Sequence, residues 1–201
     1  MSGGDMVKGR VLSSAAVLFI AAVAPAAAAQ CLPGTAYKER ASQAFQVFRQ
    51  ARSSLVADIR LANHMNSAPS SVGFARWNAA DARAADDVSA LSKLARLEGT
   101  YNDALSCHTA TDAAALQPYL YALTDLAIAG NLLYQARSEL ITKCDSTLAH
   151  YMPYFKAADQ AVGLARRVAA GKVKSTFASD FIAQEPDELA NMREIPNRCG
   201  D

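Results

Sequence analysis

Two histidine–methionine pairs are the residues of this sequence best suited to bind a metal ion. Met65 directly follows His64, and Met152 comes two residues after His150. Imidazole nitrogen and thioether sulfur are ligands that suit copper. If the two pairs meet in the fold, they predict a copper site. We favour the simpler interpretation that the methionines fill gaps in a core and the histidines lie in solvent, and keep the copper site as the alternative.

Other patterns for catalysis or cofactor binding are missing. The sequence contains no C-x-x-C-H for covalent haem attachment, no Glu-x-x-His for a di-iron centre and no G-x-S-x-G for a nucleophilic serine. The remaining histidine, His108, has no candidate co-ligand. We therefore predict no catalytic residues and no cofactor other than copper, and favour a non-enzymatic protein.

The cysteines are even in number and none of their spacings is C-x-x-C. They are Cys31, Cys107, Cys144 and Cys199. In an exported chain this arrangement is typical of two disulfide bonds rather than of a zinc or redox site. The spacing alone leaves three possible pairings open.

Helices must position all of these residues. The chain is rich in alanine and shows no sustained alternation of apolar and polar residues, which favours helices over strands. Apolar residues recur in steps of three and four along four segments. The predicted helices cover residues 35–66, 73–106, 112–144 and 153–170, and a tail covers residues 171–201. Pro153 is expected to be the first residue of the fourth helix.

Short turns between long helices predict an all-α, antiparallel up-down-up-down four-helix bundle. In this arrangement Cys31 and Cys107 lie at one end and Cys144 lies at the other. Because a disulfide needs Cα atoms within about 7 Å, we predict the pairs Cys31–Cys107 and Cys144–Cys199. The second pair requires the tail to run back beside the fourth helix, which is predicted to be shorter than the others.

The N-terminal segment has the features of a secretory signal peptide. Lys8 and Arg10 precede an apolar run over residues 11–24, Pro25 interrupts it, and small residues follow over 26–29. We predict cleavage after Ala29. An uncleaved membrane anchor is the alternative, and Pro25 argues against it.

Cleavage would leave a single domain over residues 30–201, located in the periplasm or secreted. Lipidation of Cys31 is not expected, because Gln30 rather than a small residue precedes it. Initiation at Met1 and initiation at Met6 are both compatible with the leader.

Charge excludes some partner classes. Removal of Asp5, Lys8 and Arg10 from 20 basic and 19 acidic side chains leaves equal numbers of each sign. An electrically neutral chain with interleaved charges predicts binding neither to nucleic acid nor to a membrane surface. We expect an exported binding protein whose partner is another envelope or secreted protein. A copper-binding envelope protein is the alternative.

Overall fold

The computed structural model describes residues 32–96 and 105–173, and in these residues all regular structure is helical. The helices are α1 (Gly34–Ser67), α2 (Ser71–Ala95), α3 (Ala110–Lys143) and α4 (Leu148–Ala169). The predicted all-α four-helix bundle is confirmed for this part of the chain. The predicted signal peptide over residues 1–29 and most of the predicted tail lie outside the described residues.

Contacts at the two ends of α1 establish the direction of the helices. Near its start, the Tyr37 ring meets the His108 ring edge to face, with ring centroids 6.4 Å apart. Near its end, Asn66 donates to the Cys144 carbonyl oxygen at 3.5 Å and to Ser146 Oγ at 2.8 Å. α1 and α3 therefore run in the same direction, and α2 and α4 return in the opposite one.

α3 is the central helix of the bundle. Six consecutive residues, 122–127, are buried, so neighbouring helices cover α3 on every side at this level. α3 packs against α1, α2 and α4. α2 lies close to Gly130: a methyl group added there would be in ordinary van der Waals contact with α2, 3.4 Å from Ser92 Oγ and 3.6 Å from Leu91.

α4 packs mainly against α3 and touches α1 at few positions. With 22 residues against the 34 residues of α1 and α3, it is also shorter than either by about 18 Å, at 1.5 Å per residue. An open cleft therefore separates α4 from α1. Among the described helices, none combines the length and the apolar character that crossing a membrane requires.

The second helix ends earlier than the sequence predicts. We expected it to continue to Ser106, but α2 ends at Ala95, and Arg96 follows in an extended conformation with φ −66° and ψ 126°. Gly99 lies three residues further on, and glycine costs a helix about 1 kcal/mol relative to alanine. α2 is accordingly about 37 Å long rather than about 50 Å.

The fourth helix begins earlier than predicted. It starts at Leu148, so Pro153 lies inside the helix instead of at its first position. Tyr151 is fully buried, and its hydroxyl donates to the Asp145 carbonyl oxygen. Burial of such an aromatic side chain is worth more than the one backbone hydrogen bond that the proline removes.

Candidate functional site

The cleft between α1 and α4 has a volume of about 590 Å³. Its floor is apolar, and arginines surround it. The floor residues are Phe48, Val56 and Val162, and the arginines are Arg49, Arg52, Arg60 and Arg166, facing the carboxylate of Asp159. We call this surface the arginine cleft.

Helical spacing places these arginines together. Arg49, Arg52, Val56 and Arg60 follow one another in steps of three and four, so they form one stripe along α1. This stripe borders the apolar stripe that contains Phe48. The spacing alone predicts that Arg49, Arg52 and Arg60 lie off the apolar stripe, and the structure shows that they face the cleft beside α4.

Two of the arginines are held in place. Arg52 Nε and Nη2 each lie 2.9 Å from a carboxylate oxygen of Asp159, and the guanidinium lies 5.2 Å from the centre of the Phe155 ring. The Arg166 guanidinium lies 5.6 Å from the centre of the Phe45 ring. These partly exposed contacts contribute little to stability. They do fix the orientation of guanidinium groups that can donate two parallel hydrogen bonds to an anion.

The arginine cleft therefore combines excess positive charge with an apolar floor. The lining holds four arginines and one carboxylate. An anion in the cleft would be attracted by the guanidinium groups, and apolar groups attached to it would cover the partly exposed Val56. The chemistry suits an anionic, amphipathic ligand.

A second group of charged residues lies in the core. Asp58 of α1, Asp81 of α2 and Arg137 of α3 are all buried. Arg137 donates from Nε to Asp81 Oδ1 and from Nη2 to Asp81 Oδ2, both at 2.9 Å. This two-point geometry is the strong form of an arginine–carboxylate pair.

Asp58 has a strongly raised pKa. Burial, and next the negative charge of Asp81, raise the pKa of Asp58 to about 8, although Arg137 opposes the shift. Trp77 and Asp81 are the hydrogen-bonding neighbours of its carboxyl group. At neutral pH Asp58 is therefore mostly uncharged, and the core group consists of one ion pair and one neutral acid.

Sequence reasoning missed this core group, yet it leaves a signal. Asp58 comes three residues after Leu55, and Asp81 comes four residues after Trp77. Both acids therefore occupy positions on apolar stripes, where a charge is unexpected.

The first candidate copper pair is divided between solvent and core. His64 is exposed, whereas Met65 is buried with 5% of its surface accessible. The Met65 thioether packs over Gly73 of α2, so closely that a methyl group at Gly73 would overlap the sulfur atom. Met65 thus fills space between α1 and α2.

The second pair lies at the same end of the bundle. His150 Nε2 is 3.0 Å from Glu139 Oε2, and Nδ1 is 3.4 Å from Asp145 Oδ2. Met152 is 47% exposed. Within residues 32–96 and 105–173, no group of three or more His, Cys, Asp or Glu is arranged to hold a metal ion. The copper site stays a prediction.

Comparisons with known proteins gave no match to a family model, to a curated protein sequence or to a solved structure. The function must therefore be argued from the site itself.

Replacement of Asp58 by asparagine should flatten the pH dependence of stability. Folded Asp58 keeps its proton up to about pH 8, whereas the unfolded side chain releases it near its ordinary value of 3.8. The free energy of unfolding therefore falls as the pH rises toward 8. Urea unfolding at pH about 6.5 and about 9 should show a smaller difference between the two values for Asp58→Asn than for the unmodified protein. Glu39→Gln, at an exposed position on the same helix, is the control. An unchanged difference in Asp58→Asn would contradict the assignment.

Arg137→Met should be more destabilising than Asp81→Asn. Removal of the guanidinium leaves the buried Asp81 carboxylate without its counter-charge, at a cost of about 3–5 kcal/mol. When Asp81 is replaced instead, the second of the two causes of the raised pKa is removed and Arg137 loses its partner, so the pKa of Asp58 falls and its carboxylate can pair with Arg137. Urea unfolding at neutral pH measures both changes. Equal losses, or a larger loss for Asp81→Asn, would show that Asp58 does not supply a replacement charge.

Proposed function

We propose that this protein is an exported helical bundle that acts by binding another protein, and that its binding site is the arginine cleft. The partner presents an acidic amphipathic helix. The observation that carries the proposal is the combination of four arginines with an apolar floor in one open cleft between α1 and α4.

An amphipathic helix matches this surface in both of its faces. Its apolar stripe would lie on Val56, which is partly exposed, and on the exposed backbone at Gly163, as in other helix-in-groove complexes. Carboxylates beside that stripe would meet the arginines of α1. Guanidinium–carboxylate pairing adds directional hydrogen bonds to the hydrophobic contact, which favours acidic helices over neutral ones.

Export supports a partner outside the cytoplasm. The basic start, the apolar run over residues 11–24 and the small residues before Gln30 together favour a cleaved leader. A mature chain over residues 30–201 would meet its partner in the periplasm or after secretion.

Two disulfide bonds belong to this proposal. Within the described residues neither Cys107 nor Cys144 is a free thiol. Because α3 separates them by about 50 Å, they cannot pair with each other. Cys31 and Cys199 lie outside the described residues and are the remaining candidates.

The length of α1 supports one of the remaining pairings over the other. Asn66, which contacts Cys144, lies about 48 Å along the helix from Gly34. Three residues of chain between Gly34 and Cys31 span at most about 10 Å. Cys31 thus cannot reach Cys144, whereas the start of α1 lies beside the loop that contains Cys107. This supports Cys31–Cys107, and it leaves Cys144–Cys199 as the second pair.

Mass spectrometry of protein purified from the exporting cell tests the processing and the disulfide bonds. The mature chain should begin at Gln30. Peptide mapping without reductant should give linked peptides for Cys31–Cys107 and Cys144–Cys199. A linked peptide joining Cys31 to Cys144 would contradict the order of the helices as well as the pairing.

Binding to the arginine cleft is tested with two labelled peptides and the full mature chain. One probe is an amphipathic helix of about 18 residues, or five turns, with leucine on one face and glutamate on the other. Its twin carries lysine in place of glutamate. Fluorescence anisotropy should show binding of the glutamate probe, weakened as salt rises from about 50 mM to about 500 mM, and little binding of its twin.

Variants of the cleft identify the site. The double variant Arg49→Glu/Arg60→Glu should bind the glutamate probe at least about tenfold more weakly, a loss of about 1.4 kcal/mol. Gly163→Leu should also weaken binding, because Gly163 lines the cleft, has no atom within 4 Å of an added Cβ, and would place a side chain over the floor. Arg83→Glu on the exposed face of α2 is the matched control. Equal affinity in all variants would overturn the proposal.

A further inference from the structure

The residues after α4 have the composition that the arginine cleft suits. Residues 174–201 contain six acidic side chains and three basic ones. Leu189, Met192 and Ile195 follow one another in steps of three, and Asp187 and Glu188 lie beside them. The segment is thus both acidic and amphipathic by sequence.

The course of the chain brings this segment to the cleft. α4 ends at Ala169, and Arg166, which lines the cleft, is in its last turn. Residue 174 therefore comes only a few residues after the part of the cleft that Arg166 lines, at the C-terminal end of α4. If Cys199 pairs with Cys144, the chain has to return to the opposite end of α4, about 33 Å away.

The length of the segment fits that return path. The 26 residues from 174 to 199 would cover about 39 Å as a helix, and more if extended. α4 packs against α3 on one flank and faces the arginine cleft on another. Of these two flanks, only the cleft is open to receive a further segment of chain.

We propose that residues 174–198 occupy the arginine cleft of the free protein and act as a tethered competitor of the partner helix. This inference rests on the proposed function of the cleft. A tether of this kind gives a local concentration of about millimolar order. Even a weak contact of the segment with the cleft would therefore lower the apparent affinity for an external helix, and a partner binds by displacing the segment.

Carbodiimide cross-linking of the full mature chain tests this inference. The reagent joins a lysine amine to a carboxylate in direct contact. The variants Arg49→Lys and Arg60→Lys keep the positive charge and place an amine on the rim of the cleft. Peptide mapping should find position 49 linked mainly to Asp180 and position 60 linked mainly to Glu188 or Glu194. This order is expected because the segment would run along α1 from near its N-terminal end toward its C-terminal end.

Arg83→Lys on the exposed face of α2 should give no link to residues 174–198. Absence of links from positions 49 and 60, links of equal yield from position 83, or the reverse order along the segment would each overturn the inference.

The experiment separates this inference from the proposed function. Addition of the glutamate probe should reduce the yield of both links if the two compete. Probe binding without the links would support the arginine cleft as the partner site and refute its occupation by residues 174–198. Links without probe binding would show that the segment is a permanent part of the bundle and would refute the proposed partner site.

Discussion

The burial of α3 on every side is the constraint on which the rest of the bundle depends. A helix with six consecutive buried residues must be covered by all of its neighbours. α1 and α2 cover it as an antiparallel pair, and α4 covers the remaining side. Because α4 follows α3 so closely, it has little contact left for α1. The arginine cleft is the direct result of this asymmetry.

The same constraint explains why the core contains an arginine. Arg137 reaches from α3 to Asp81 of α2, with the neutral acid Asp58 of α1 close by. A buried ion pair is usually no more stabilising than a well-packed apolar pair. Its contribution here is positional: the two-point contact works at only one register between α2 and α3.

The sequence predicted the number and order of the helices well and the positions of their ends poorly. Periodicity identified four helices and their order, because apolar stripes in steps of three and four persist over most of the chain. Helix ends were less predictable. Tertiary burial of Tyr151 extends α4 across Pro153, and an extended residue at Arg96 stops α2 well before the predicted end.

The candidate site could be predicted only in part. Periodicity placed Arg49, Arg52 and Arg60 outside the core, but it cannot tell which polar face borders an open cleft. That depends on how α4 divides its contacts between α3 and α1. The positions of the candidate copper ligands could not be predicted for a related reason: neighbouring residues on a helix point in different directions, so Met65 is buried while His64 is exposed.

The core ion pair also affects the order in which the bundle can assemble. A hairpin of α1 and α2 alone would bring Asp58 and Asp81 together without the guanidinium of Arg137. Such a hairpin would have to keep its acids in water, and so could not close its apolar seam around them. Docking of α3 supplies the counter-charge and the missing apolar cover in one step. The three helices are thereby coupled into one cooperative folding unit, and a partly assembled hairpin has little stability of its own.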